Sequence, residues 1–198
     1  VHITALGAVV VHGIVSANGQ NGATYYAGGG SGGSIYIQCK TLAGSNGVIS
    51  ANGGDNTGDS GSGGGGGRIA IVYDPESQAT QNLLARPSIR IRANPGWVRN
   101  RPPGPPDGTG GWPTECWGRP GTIWLPDAQI LPSEQMEGGV LLLGSSTNFH
   151  LNSLTITNGI LIFPPQSRLI ISNDLTITSA RGVLEMSNSV LQGGDTYG

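Results

Sequence analysis

The sequence predicts an all-β chain, a single-stranded parallel β-helix (β-solenoid) with long glycine-rich corner loops. Three observations predict it. Apolar residues alternate over short runs bounded by Gly, Asn, Ser and Pro, the pattern of brief strands and tight turns. These runs recur at one fixed offset early in the chain and at a shorter one later, as stacked turns of one coil would. Glycine supplies 35 of the 198 residues and proline 13, with no strict triplet period along the chain, so collagen is excluded and a loop-rich β chain is favoured. A β-sandwich is the alternative architecture, since it also uses short strands and turns, but it gives no reason for the two offsets.

The elements follow in order. Val1 to Thr4 begins strand-like, and Val15-Ser16-Ala17-Asn18-Gly19 leads into a glycine-rich loop that Ile35-Tyr36-Ile37 leaves. Both landmarks repeat at the same offset, as Ile49-Ser50-Ala51-Asn52-Gly53 and Ile69-Ala70-Ile71. A third, stretched copy opens at Ile91-Arg92-Ala93-Asn94-Pro95-Gly96 and closes at Gly121-Thr122-Ile123-Trp124-Leu125, with an insert from Pro95 to Pro120. From Val140 the period shortens: Asn152-Ser153-Leu154-Thr155-Ile156-Thr157 recurs as Asn173-Asp174-Leu175-Thr176-Ile177-Thr178. Ile160 to Phe163, Leu169 to Ile171, Val183 to Met186 and Val190-Leu191 add further alternating runs. Residues 1–139 are thus upper turns with excursions and residues 140–198 regular turns of about 21 residues, in one continuous solenoid. Stacked about 4.8 Å apart, Leu154 and Ile156 fall inward on Leu175 and Ile177, and Thr155 and Thr176 form an outward ladder. Asn18, Asn52 and Asn94 occupy equivalent bends, where asparagine tolerates left-handed backbone and bonds along a stack. Helix is nearly ruled out, because no window of a dozen residues escapes Gly, Pro or β-branched alternation.

The ordered set GGGSGGSIYI (Gly28 to Ile37), GVISANGG (Gly47 to Gly54), GGGGGRIAIVY (Gly63 to Tyr73) and PGTIWLP (Pro120 to Pro126), followed by LTI runs, resembles the glycine-rich repeat regions of very large secreted or cell-surface proteins of bacteria and some protists. The resemblance covers nearly all the chain and departs from it at Arg99 to Trp117. It implies a parallel β-helix, an extracellular or cell-surface location and an adhesin-like or architectural role, and it brings no catalytic residues with it.

Composition narrows the function classes. With 36% hydrophobic and 11% charged residues, the chain is neither a charged disordered tail nor rich in apolar runs long enough to cross a bilayer, so no membrane insertion is expected. A net charge of −2 and a single lysine, Lys40, point away from nucleic acid. The start at Val1, without a methionine or a signal-like run, reads as a processed protein or a piece of a longer one. Cys39 and Cys116 are the only two cysteines; in a secreted protein they would form one disulfide, in a reducing compartment two free thiols.

Gly67 is followed by Arg68 and a strand, not by the Lys-Ser/Thr and helix of a phosphate loop. Asp55, Asn56 and Asp59 offer oxygen ligands but lack the spacing of a calcium loop, and read as a solvated polar loop with no metal. The 12 carboxylates are scattered, with Asp74 and Glu76, and Glu134 and Glu137, as the nearest pairs, and His2, His12 and His150 share no ligand spacing. Neither a catalytic site nor a cofactor is expected, and a polysaccharide-cleaving enzyme is the least favoured reading.

The chemically concentrated stretch runs from Arg86 to Trp124. It holds Arg86, Arg90, Arg92, Arg99, Arg101 and Arg119 and all four tryptophans, Trp97, Trp112, Trp117 and Trp124, against only Asp107 and Glu115. Arginine stacks on tryptophan within such a loop, and the same groups suit a neighbouring protein or an acidic glycan. Arg99, Arg101, Trp112, Trp117 and Arg119 are the candidate partner or glycan contacts, with Pro102, Pro103, Pro105 and Pro106 favouring polyproline II beside them. The run Gly63, Gly64, Gly65, Gly66 and Gly67 costs the most entropy to order, and we expect a neighbouring molecule to hold it. The function expected is a structural segment of an extracellular filament or surface protein, self-associating or stacked on neighbouring subunits. An adhesin that binds a glycan is the alternative.

Overall fold

Period-two alternation makes strands, and their apolar faces select the partner strand. A computed structural model of the chain describes residues 1–23, 27–57, 61–98, 118–131, 135–136, 139–144, 148–156, 159–178, 183–186 and 190–193. The chain is mostly β. Strand β1 (His2–Thr4) is followed by β2 (Ala8–Val10) and β3 (Ile14–Ser16), then by β4 (Ser34–Gln38), β5 (Thr41–Ala43) and β6 (Ser45–Ser50). Strand β7 (Arg68–Val72), helix α1 (Pro75–Leu84) and β8 (Ser88–Arg92) come next, then β9 (Thr122–Leu125), β10 (Gln135–Met136) and β11 (Val140–Leu143). The last strands are β12 (Asn148–Leu151), β13 (Leu154–Ile156), β14 (Ile160–Phe163), β15 (Arg168–Ile171), β16 (Leu175–Ile177), β17 (Val183–Met186) and β18 (Val190–Gly193).

A seven-stranded sheet runs β1-β4-β7-β9-β11-β14-β17, and smaller sheets run β2-β5, β3-β6-β8, β10-β13-β16 and β12-β15-β18. Among the described residues every strand pairing is parallel, whereas a β-sandwich pairs its strands antiparallel. The registers match the sequence repeats. Ile35 pairs with Ile69 and Val15 with Ile49, so both landmarks of the early repeat meet their own copies. The stretched third copy lies in the same register, Ile49 with Ile91 and Ile69 with Ile123. Leu154, Thr155 and Ile156 pair with Leu175, Thr176 and Ile177, the matching residues of the later, shorter repeat.

One core results. Ile35, Ile69, Ile123, Leu141 and Leu161 stand in successive register on the large sheet and are all buried, each contributing roughly 1.5–3 kcal/mol by leaving water. Ile49, Ile89, Leu42, Ile130, Leu154 and Leu169 close the same core from the smaller sheets and their connections.

Helix α1 corrects the expectation that helix is absent. Its sequence, PESQATQNLL, is only 10 residues long, below the window of a dozen on which helix was ruled out. The start signals are nonetheless present: Asp74 caps it by accepting a hydrogen bond from Ser77 N–H at 2.7 Å, Pro75 stands in the first turn, and Glu76 is acidic there. The helix occupies the place a strand would take beside β5. Gln78, fully buried, accepts from Leu42 N–H at 2.8 Å and donates to Leu42 O at 3.0 Å. Its side-chain amide thereby replaces the missing strand's backbone amide.

Candidate functional site

The glycine-rich excursions are the most specific construction in the molecule. Three outgoing limbs (residues 17–22, 51–56 and 93–98) leave the strands β3, β6 and β8. Three returning limbs (27–33, 61–67 and 118–121) lead back into β4, β7 and β9. Among them the bonding recurs every third residue. Gly19 and Gly22 donate to Asn52 O and Asp55 O of the next outgoing limb, and Gly53 and Asn56 donate to Asn94 O and Trp97 O of the one after. Gly29 and Gly32 donate to Ser62 O and Gly65 O, and Gly66 to Arg119 O, along the returning limbs. Gly30 and Gly33 cross to Gln20 O and Ala17 O, while Gly64 and Gly67 cross to Gly54 O and Ala51 O. A threefold extended chain of the polyproline II type has this recurrence and leaves its backbone groups free to bond neighbours.

At several of the glycines such close lateral packing leaves no room for a side chain. A Cβ on Gly64 would lie 2.0 Å from Gly30 O, one on Gly67 2.0 Å from Gly33 O, one on Gly63 2.2 Å from Gly96 O and one on Gly66 2.3 Å from Ala93 O. The run Gly63 to Gly67 is therefore packed and hydrogen-bonded against limbs of its own chain. The entropy cost of ordering it is met by backbone hydrogen bonds and packing on both sides. The signal was present in the sequence as a local three-residue spacing of glycines, at 29/32, 30/33, 63/66 and 64/67, which a search for a triplet period along the whole chain does not see.

Asparagine and aspartate ladders fix the outgoing limbs. Asn18 Oδ1 accepts from Asn52 N–H at 2.8 Å, and Asn52 Oδ1 from Asn94 N–H at 2.9 Å. One turn further out Asn21 Oδ1 accepts from Asp55 N–H at 2.8 Å and Asp55 Oδ1 from Trp97 N–H at 2.9 Å. Asp55 is thus a rung of a ladder with its carboxylate on a backbone amide. Asn56 is buried between limbs, and Asp59 lies outside the described residues.

A second polar cluster anchors α1. Tyr73 donates to the Asp127 carboxylate, and Gln129 donates from N–H to Asp127 Oδ1 at 2.9 Å and from Nε2 to Oδ2 at 2.7 Å. Asn82 Nδ2 and Arg86 Nε both donate to Gln129 O, at 3.1 and 3.3 Å. Burial, and then the Asp127 charge beside it, push the Tyr73 phenol well above its ordinary range, so it is a fixed donor. The arrangement joins helix to strands and has the form of a structural staple.

The arginine and tryptophan candidates separate. Arg119 is exposed and its carbonyl receives Gly66 N–H at 2.8 Å. Arg86 follows α1, Arg90 and Arg92 stand on β8, Trp124 lies on β9 in the large sheet, and Trp97 sits half exposed at an outgoing limb. Arg99, Arg101, Trp112 and Trp117 lie outside the described residues. Cys39 is a buried free thiol, its pKa raised by that burial, and Cys116 lies outside the described residues. No group of three or more His, Cys, Asp or Glu side chains placed to hold a metal occurs among the described residues. Compared with protein-family models, curated proteins and solved structures, the chain matches none.

Proposed function

We propose that the chain is a structural segment of an extracellular filament or cell-surface protein, built as one continuous parallel β-solenoid whose levels stack on further β-levels. The carrying observation is the order of return. From β1 to β4, β4 to β7, β11 to β14 and β14 to β17 the chain leaves the seven-stranded sheet, passes through two smaller sheets and comes back; between β7 and β9 helix α1 takes the place of one strand, and each return to the large sheet pairs in parallel with the strand that preceded it there. A strand path that revisits its sheets in one direction is the path of a coil. The last level supports stacking, because it leaves core-type positions uncovered: Leu175, Ile177 and Leu191 are 37%, 46% and 47% exposed, whereas Leu154, Ile156 and Leu169 one level earlier are at most 1% exposed. Open parallel edges of this kind favour another strand over water.

Two measurements test the proposal. Spin labels at Ser34 and Val183, five strand spacings apart along the large sheet, should lie about 24 Å apart; a separation far from this overturns the coil. Sedimentation velocity over a concentration series should show association that a Leu175→Thr, Ile177→Thr, Leu191→Thr variant loses. A wild-type chain that stays monomeric throughout, or a variant that associates equally well, overturns the stacking.

A further inference from the structure

The limb lattice has two unlike edges. Three levels of limbs are aligned by the strand registers, so position 19 corresponds to 53 and 95, and position 32 to 66 and 120. At the first two levels these residues are glycines whose N–H groups donate to the carbonyls of the level above: Gly19 to Asn52, Gly53 to Asn94, Gly32 to Gly65 and Gly66 to Arg119. At the third level both are prolines, Pro95 and Pro120, which have no N–H to give. At these two positions that edge cannot pass the bonding on. A sheet ends its ladder with an edge proline by the same means.

The opposite edge carries no such stop. The carbonyls that receive these donors at the second level, on Asn52, Asp55, Ser62 and Gly65, correspond at the first level to Asn18, Asn21, Gly28 and Ser31, all exposed. Gly30 and Gly33 likewise correspond to Gly64 and Gly67, where a methyl would collide with the limb beneath. At Gly30 and Gly33 no limb lies beneath: the nearest atoms to a Cβ are Gln20 N at 3.2 Å, a tight contact, and the Ala17 side chain at 3.4 Å, an ordinary one. The first level thus keeps the carbonyl row and the bare backbone that the levels above use to seat on a limb pair.

We infer that Pro95 and Pro120 terminate the lattice on one side, and that the exposed edge formed by residues 17–22 and 27–33 is an interaction surface for one further glycine-triplet limb pair. That partner must carry free N–H groups at the positions of Gly53 and Gly66. The proline edge of another copy of this chain lacks both, so the surface does not accept it. The limb contacts alone define this surface, whether or not the last β-level stacks.

The probe is a synthetic peptide of residues 49–72, which in the chain already underlies a limb pair. Titrated calorimetrically into the full chain, it should bind saturably. A peptide with Gly53→Pro and Gly66→Pro should bind at least tenfold more weakly, and so should the parent peptide to a Gly33→Ala chain, in which the added methyl makes only contacts of 3.4 Å within its own chain. Absence of binding at millimolar peptide, or equal binding by both peptides or both chains, overturns the inference.

Discussion

Replacing Gly67 by alanine, beside the same change at Gly33, isolates the close packing of the limbs. The two positions are one level apart in the same register. An added Cβ at Gly67 would sit 2.0 Å from Gly33 O and 2.7 Å from the Gly32 carbonyl carbon, backbone atoms that cannot rotate away. Relieving such an overlap needs a backbone shift, and overpacking of this kind costs about 1–3 kcal/mol. The shift also stretches the bond from Gly67 N–H to Ala51 O, now 2.6 Å, worth about 0.5–1.5 kcal/mol. Against this stands the reduced freedom of the unfolded chain, about 0.4–1 kcal/mol in favour of alanine. The net expectation is a loss of about 1–3 kcal/mol, which for a chain of this size lowers Tm by roughly 2–12 °C. At Gly33 the nearest atom to the new methyl is the Ala17 side chain at 3.4 Å, an ordinary contact, so the unfolded-state gain is left nearly alone. Urea unfolding followed by circular dichroism, with Tm from the same samples, measures both. Equal stability of Gly67→Ala and wild type, or equal damage from Gly33→Ala, would refute the packing argument.

The helix and its staple yield three more expectations. Gln78→Leu leaves Leu42 N–H and Leu42 O buried without partners, at about 1–3 kcal/mol each, and amide exchange at Leu42 should accelerate in step with the lower urea midpoint. Asp74→Ala should reduce the helical signal; since hydrogen bonding by the Ser77 side chain, and then by its backbone N–H, holds the Asp74 carboxyl below its ordinary value, the cap's contribution is present above the usual carboxylate range and lost as pH falls through the lowered value. Tyr73, whose phenol is raised, contributes stability that is complete below an unfolded value near 10 and declines above it, by up to about 1.4 kcal/mol per pH unit; Tyr73→Phe should flatten that alkaline slope in urea titrations between pH 9 and 11.

Strand positions were legible because both the alternation and the offsets are carried by single residues: Val15 with Ile49, Ile35 with Ile69, and Leu154 with Leu175 are paired in space as they are matched in sequence. The asparagine ladder was legible for the same reason, since Asn18, Asn52 and Asn94 hold one place in each copy. Helix α1 was not, because its face toward the core is a glutamine and not an apolar stripe: Gln78 is its one buried residue, and periodicity searches for hydrophobes pass over it. The limb lattice was half legible. Glycine declared a close approach, but which backbone approached depends on limbs more than thirty residues away along the chain, such as Gly30 beneath Gly64, and the loop alone does not name them.

The unequal spacing between levels points to what the strands are for. Along the large sheet the stretch of chain between paired residues lengthens from Ile35–Ile69 to Ile69–Ile123, then contracts sharply at Ile123–Leu141 and Leu141–Leu161. The β3-β6-β8 sheet shows the same tolerance, with a longer interval between Val48 and Arg90, which contains α1, than between Ile14 and Val48. Register survives every insertion because it is set by buried side chains stacking within the sheets, while the connections between strands are free to lengthen at an entropic cost that grows only slowly with length. The sheets are therefore a frame that carries excursions without being altered by them. The limbs use that frame differently from an ordinary loop: because each level is fixed relative to the next, their backbones meet in a register that three-residue spacing can exploit. One residue added to a limb between Asn52 and Gly67 should leave the Ile49–Ile91 and Ile69–Ile123 pairings intact and break the limb bonding beyond it. An insertion that damaged the sheets as much as the limbs would mean that the lattice, and not the core, sets the register.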